Sequence, residues 1–171
     1  MECPINIREA QHSDIEQICS IQESTLNFQD QLTQEILEER IRNHADTFLL
    51  ASFDNQVIAY IVATTITDFS LHKWIIDNKD EDSINENSTI IEELSVHPDF
   101  QKQGFGTLLL ASLKEVTRQK NSPTIYFLCK DELLSYFELN GFIDQGFIEG
   151  ERSSEDAFLM CWGNPFYQEE L

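Results

Sequence analysis

The run Leu94-Ser95-Val96-His97-Pro98-Asp99-Phe100-Gln101-Lys102-Gln103-Gly104-Phe105-Gly106-Thr107 holds the residues best placed to do chemistry. A β-rich stretch ends at Val96, Pro98 stops it, and two glycines one residue apart open a long helix. Gly104 and Gly106 lack a Cβ, so a ligand can approach the backbone closely. The first amides of a helix have no internal partner. With the helix dipole behind them, they suit a pyrophosphate, and Lys102 adds a positive charge. A Rossmann loop wants a third glycine three residues after the second, where this chain has Leu109, and the Gly-Lys-Ser/Thr of a Walker loop is absent. Two adjacent carboxylates, Glu92 and Glu93, precede the run.

These residues need a scaffold, and the hydrophobic rhythm supplies one. Ile5 to Arg8 predicts a first strand, and Ser13 is placed to cap a helix with Asp14 and Glu16 in its first turn. A second helix is expected over about Gln31 to Asn43, with Leu32, Ile36, Leu37 and Ile41 on one face. Thr47 to Phe53 and Gln56 to Thr65 predict a hairpin turning at Asp54-Asn55. An acidic stretch, Asp68 to Asn87, follows, with a helical turn or two at Ser70 to Ile76. The chain then alternates strand Ile90–Val96, helix Gly104–Lys120, strand Thr124–Cys129 and helix Asp131–Asn140, the last closed by Gly141. Strands Phe142–Ile148 and Ala157–Trp162 end it. The fold class is α/β, a mixed sheet with helices on both faces.

Composition narrows the function. The 171 residues suit one domain, and 41% hydrophobic residues with twelve Phe suffice for a core. Asp and Glu outnumber Lys and Arg by 31 to 11, a net charge of -20. Such a surface argues against nucleic acid and against anionic membranes as partners. Its field draws in cations, and it also keeps a protein soluble. No basic cluster followed by an apolar run opens the sequence, and no apolar stretch approaches a membrane span. Cys3, Cys19, Cys129 and Cys161 show no CxxC spacing, so they are expected to be reduced thiols, in a cytoplasmic protein with no metal site. Cys129, at the end of a β-rich run, reads as a packed hydrophobe and not a nucleophile.

Gln101, Gly104 and Gly106, after a Leu-x-Val strand and a proline, resemble the acetyl-CoA signature Gln/Arg-x-x-Gly-x-Gly/Ala of the GNAT superfamily. Phe127-Leu128-Cys129, then Leu133 to Asn140-Gly141-Phe142, resembles the family's next strand, helix and Gly-Phe, and Ala157 to Trp162 its last strand. The likeness spans nearly the whole chain and implies one N-acetyltransferase domain over residues 1–171. Val96-His97 and Cys129-Lys130-Asp131 look most like the arylalkylamine branch.

The resemblance implies a ternary complex in which a primary amine, here a small-molecule acceptor, attacks acetyl-CoA directly. The strand of Leu94, Ser95 and Val96 would splay from Ile125–Cys129, with backbone groups of Leu94 and Val96 holding the pantetheine arm. The amides of Gln101, Lys102, Gln103, Gly104, Phe105, Gly106 and Thr107 would hold the pyrophosphate. Family enzymes often place a base on the strand before the motif. The two arylalkylamine histidines are replaced by Ile90 and Glu92, which leaves Glu92 as the leading base; a strand bulge would favour Glu93. The family's proton donor to the departing thiolate is a Tyr four residues before the Gly of Gly-Phe. That position, against the cofactor, is Phe137, while Tyr136 lies about 100° around the helix. The thiolate then leaves unassisted, or the register shifts by one and Tyr136 is the acid. Two other functions stand beside this one: an acetyl-CoA-binding sensor without turnover, and a protein N-terminal or lysine acetyltransferase. Oligomeric state is left open.

Overall fold

A computed structural model describes residues 4–69, 84–149 and 156–170. Seven strands form one mixed sheet in the order β1-β2-β3-β4-β5-β7-β6. They are β1 Asn6–Glu9, β2 Phe48–Phe53, β3 Gln56–Thr65, β4 Thr89–Val96, β5 Thr124–Cys129, β6 Ile143–Ile148 and β7 Ala157–Gly163. Among the described residues there are four α-helices: α1 Ile15–Thr25, α2 Gln34–Asn43, α3 Phe105–Gln119 and α4 Leu134–Leu139. The expected turn at Ser70–Ile76 and the acids Asp77, Asp80, Glu81 and Asp82 lie outside the described residues; Glu86 sits in the turn leading into β4.

Compactness divides the chain into two units, and β4 contributes to both. The first comprises Met1–Ala63 and Glu92–Val116. Here β1 pairs antiparallel with β2, and β2 with β3. Asp54 and Asn55 have φ of 50° and 63°, the left-handed pair that a tight hairpin turn demands and that Asx residues tolerate. Ile18, Ile21, Leu37, Phe48, Leu50, Tyr60 and Val62 form its core. The second unit comprises Thr64–Ile91 and Thr117–Leu171. In it β4 runs parallel to β5 from Thr89↔Ile125 to Ile91↔Phe127, and β7 pairs antiparallel with both β5 and β6. Ile66, Ile90, Tyr126, Ile148 and Leu159 form its core. Gly141 closes α4 at φ 83°, and Phe142 N–H reaches back to Phe137 O at 3.0 Å.

Two expectations fail. Ser13 does not cap α1. His12–Asp14 form a 3₁₀ turn, and Asp14 precedes the helix with its carboxylate held by Arg8 at 2.7 and 2.8 Å and by Gln11 N–H at 2.8 Å. The Arg8 guanidinium holds the Asp14 carboxyl below the usual range, against the opposing effect of its burial. In α2, which starts at Gln34 behind the Thr33 cap, Ile36 is 36% exposed and Arg40 turns inward. Arg40 Nε and Nη2 bind the two oxygens of Glu92 at 2.6 and 2.8 Å, and Arg40 also pairs with Glu39. The Arg40 and Glu92 side chains are 10% and 5% exposed.

Breaking a buried pair from one side strands a charge, at a cost of about 3–5 kcal/mol. Arg40→Met is expected to lower unfolding free energy by about that amount in a denaturant titration. Adding Glu92→Leu is expected to restore most of it, and a single variant within about 0.5 kcal/mol of wild type contradicts this account.

Candidate active site

All of Leu94–Thr107 lies in the first unit. Leaving β4, the chain is fixed at His97, whose N–H donates to Ile58 O at 2.8 Å and whose Nδ1 accepts Asp99 N–H at 3.1 Å. A 3₁₀ turn, Pro98–Phe100, follows. Gln101 Nε2 then reaches back to Val96 O at 3.1 Å and closes the turn. Lys102 at φ 61° and Gly104 at φ 90° bend the backbone, and residues 101–104 are exposed. A Cβ built on Gly104 meets nothing within 4 Å, so open space lies against this backbone. The first bond of α3 is Leu108 N–H to Gly104 O at 3.0 Å. Phe105, Gly106 and Thr107 therefore supply the first-turn amides, which have no carbonyl a turn earlier to bind. Buried Leu109, Leu110 and Leu113 anchor the helix behind them.

β4 reaches this turn past the two glutamates. Ser95 is buried and faces α1, its Oγ accepting from Thr25 Oγ1 at 3.4 Å, whereas Leu94 and Val96 are half-buried. Glu93 is 4% exposed. Its Oε1 accepts Leu32 N–H at 2.6 Å, its Oε2 accepts Tyr60 O–H at 2.9 Å, and Gln22 Nε2 lies 2.9 Å from both. Burial pushes the Glu93 carboxyl up, and the Leu32, Gln22 and Tyr60 donors oppose that shift. Burial, and then the charge of Glu93, push the Tyr60 phenol up as well.

The two carboxylates thus differ in what they have left to offer. A carboxylate has about four lone-pair sites. Three hydrogens serve Glu93, from the Leu32 amide, the Tyr60 hydroxyl and the Gln22 amide, whose other hydrogen goes to Leu32 O, whereas Arg40 supplies two to Glu92, one on each oxygen. Arg40, Gln22, Tyr60 and the Leu32 amide are absent from the sequence reading, since each is remote along the chain. Only Tyr60 left a signal: a phenol inside a run of apolar strand residues needs a partner.

In the second unit, Phe137 is 1% exposed. It stacks on Phe127 at 4.3 Å and meets Phe142 edge-on at 5.2 Å. Tyr136, the next residue, is half-buried. Cys129 is fully buried, and its thiol donates to Lys130 O at 3.1 Å. Burial, with help from Glu132, Asp144 and Asp131, pushes that thiol up to about 11, which suits a packed residue and not a nucleophile. Cys19 and Cys161 are likewise free thiols. No helix among the described residues is long and apolar enough to cross a membrane.

The Acetyltransferase (GNAT) family matches residues 13–142. Among solved structures, the loading GNATL domain of CurA from Lyngbya majuscula superposes with a TM-score of 0.76 at 15% identity, covering 94% of this chain and 98% of that one. The ribosomal-protein-S18-alanine N-acetyltransferase from Escherichia coli gives 0.70 at 14% identity, covering 98% and 99%. YncA from Salmonella typhimurium, solved with its cofactor acetyl-CoA, gives 0.67 at 15%, covering 94% of each. These likenesses support the fold and not the arylalkylamine branch. With a seven-stranded mixed sheet and a family match over residues 13–142, the chain belongs to the GNAT family of acetyltransferases.

Proposed function

We propose that this protein transfers an acetyl group from acetyl-CoA to a primary amine by direct attack. The turn from Gln101 to Thr107 carries the reading: bent backbone at Lys102 and Gly104, open space at Gly104, and first-turn amides of α3 behind it. That arrangement fits a pyrophosphate, with Lys102 as counter-charge. Gln101, Gln103, Phe105, Gly106 and Thr107 complete the grip. Backbone groups of Leu94, Ser95 and Val96 would lie along the pantetheine arm. The thioester supplies the electrophile, and the chain supplies position and proton traffic. Glu92, with lone pairs to spare, takes the proton that the acceptor ammonium must lose. Tyr136 is our candidate donor to the departing sulfur, because Phe137 carries no proton and is packed among aromatic rings. A thiolate is a tolerable leaving group even without that help, since a thiol pKa is about 8.5.

The acidic surface favours a cationic acceptor, and a small amine is the reading we prefer. The Escherichia coli relative is by name a protein alanine N-acetyltransferase, so a protein N-terminus is the rival acceptor. Release of free CoA thiol across a panel of polyamines, arylalkylamines and N-terminal peptides separates the two. Turnover confined to the peptides would overturn the small-amine reading.

Lys102→Glu reverses the charge on an exposed loop and is expected to weaken acetyl-CoA about tenfold or more by calorimetry, the worth of one charge-assisted contact. Unchanged affinity in the folded variant removes the cofactor assignment.

Glu92→Gln is expected to lower kcat at neutral pH by about 10²–10⁴-fold, recovering as pH rises and the amine deprotonates itself, with acetyl-CoA affinity retained. A wild-type profile would move the base elsewhere. Tyr136→Phe is expected to cost kcat less, about tenfold, because the thiolate can leave unaided. An unaltered rate would show that it does so already.

A further inference from the structure

The turn between β4 and α3 is closed by side chains from both ends. At the far end Gln101 Nε2 reaches Val96 O at 3.1 Å. At the near end stands His97, anchored to β3 by its own N–H, which donates to Ile58 O at 2.8 Å. Pro98 has no N–H, so the first donor of the 3₁₀ turn is the Asp99 amide. His97 Nδ1 accepts that amide at 3.1 Å, and His97 O accepts the Phe100 amide at 2.8 Å. One residue therefore takes up both donors of the turn, and the amides offered to a ligand begin at Gln101.

The imidazole also packs. It meets Phe100 edge-on at 5.6 Å, and Phe100 meets Phe105, the first residue of α3, at 6.3 Å. Three half-buried rings thus join the end of the strand to the start of the helix. Between them Lys102 stands at φ 61° and Gly104 at φ 90°. A lysine adopts that left-handed backbone only where its surroundings impose it. His97 and Gln101 impose it from the strand side.

We propose that His97 is a positioning residue for the acetyl donor, its Nδ1 capping the 3₁₀ turn so that residues 101–107 are held in the form that grips the pyrophosphate. This rests on the acetyl-CoA reading above and deepens it. His97 does not touch the cofactor. It acts through the Asp99 amide, and only a side chain with an acceptor at that place can do so. Cofactor affinity then scales with the fraction of molecules whose turn is closed, and loss of the cap lowers that fraction.

The test is calorimetric titration of the full chain with acetyl-CoA. His97→Ala is expected to weaken binding about fivefold, the worth of one side-chain cap, with the number of sites per chain retained. A merely structural defect would lower the number of sites and leave Kd alone. His97→Asn should bind within about twofold of wild type, because an Asn oxygen accepts the N–H two residues on. His97→Leu keeps the bulk against Phe100 and removes the acceptor. It should be as weak as His97→Ala, and it serves if His97→Ala does not fold. In steady state with the best amine of the panel, the loss should appear in KM for acetyl-CoA, with kcat and acceptor KM within about twofold of wild type. Wild-type affinity in His97→Ala or His97→Leu would overturn the proposal, as would a His97→Asn variant as weak as His97→Ala. A fall of about 100-fold or more in kcat would make His97 a proton-transfer residue and overturn it too. If acetyl-CoA affinity also survives Lys102→Glu, the failure belongs to the cofactor reading; if it is lost there and kept in His97→Ala, the failure belongs to His97 alone.

Discussion

Two adjacent carboxylates with buried side chains on one strand are the constraint from which the first unit follows. Neither Glu92 nor Glu93 is tolerable there without partners, because an ionised carboxylate out of water is costly unless paired or hydrogen-bonded. The partners come from far along the chain: Arg40 from α2, Gln22 from α1, Tyr60 from β3, and the backbone of Leu32 between the helices. Satisfying those charges draws α1, α2 and their connection onto β4. It also explains why a charged residue, Arg40, is buried in α2.

The second constraint is how the chain leaves that strand. Ile58 O fixes His97, Gln101 closes on Val96, and two left-handed residues deliver the backbone to the start of α3. The strand is pinned on one side of Leu94–Val96 by the glutamates and on the other by this turn. A site for a long, flexible, anionic donor needs that kind of support. Catalysis by positioning fails when the reacting groups shift by even about 1 Å.

Local chemistry was legible in the sequence and long-range chemistry was not. The Asp54-Asn55 turn, Gly104 at the α3 entry and the Gly141 cap were readable because each is a backbone demand that few residue types meet. The strand and helix order followed from periodicity. Ser13 misled because a serine before an apolar run is a cap only if no stronger electrostatic claim intervenes, and Arg8 claims Asp14 one residue later. At the site, the candidate residues were visible as types, but their division of labour depends on counting donors around each oxygen. That count rests on contacts spanning up to 71 positions along the chain, which no local pattern carries. Phe137 illustrates the same limit. Its departure from the family tyrosine was plain, while its stacking on Phe127 was not.

The most direct test of the central claim is amide hydrogen exchange with and without saturating acetyl-CoA. The account requires that Gln101 to Thr107 slow markedly on binding, since their N–H groups would be taken up by phosphate oxygens. Leu32 should exchange slowly in both states, because Glu93 already holds it. Protection that appears elsewhere and leaves Gln101–Thr107 unchanged would contradict the account.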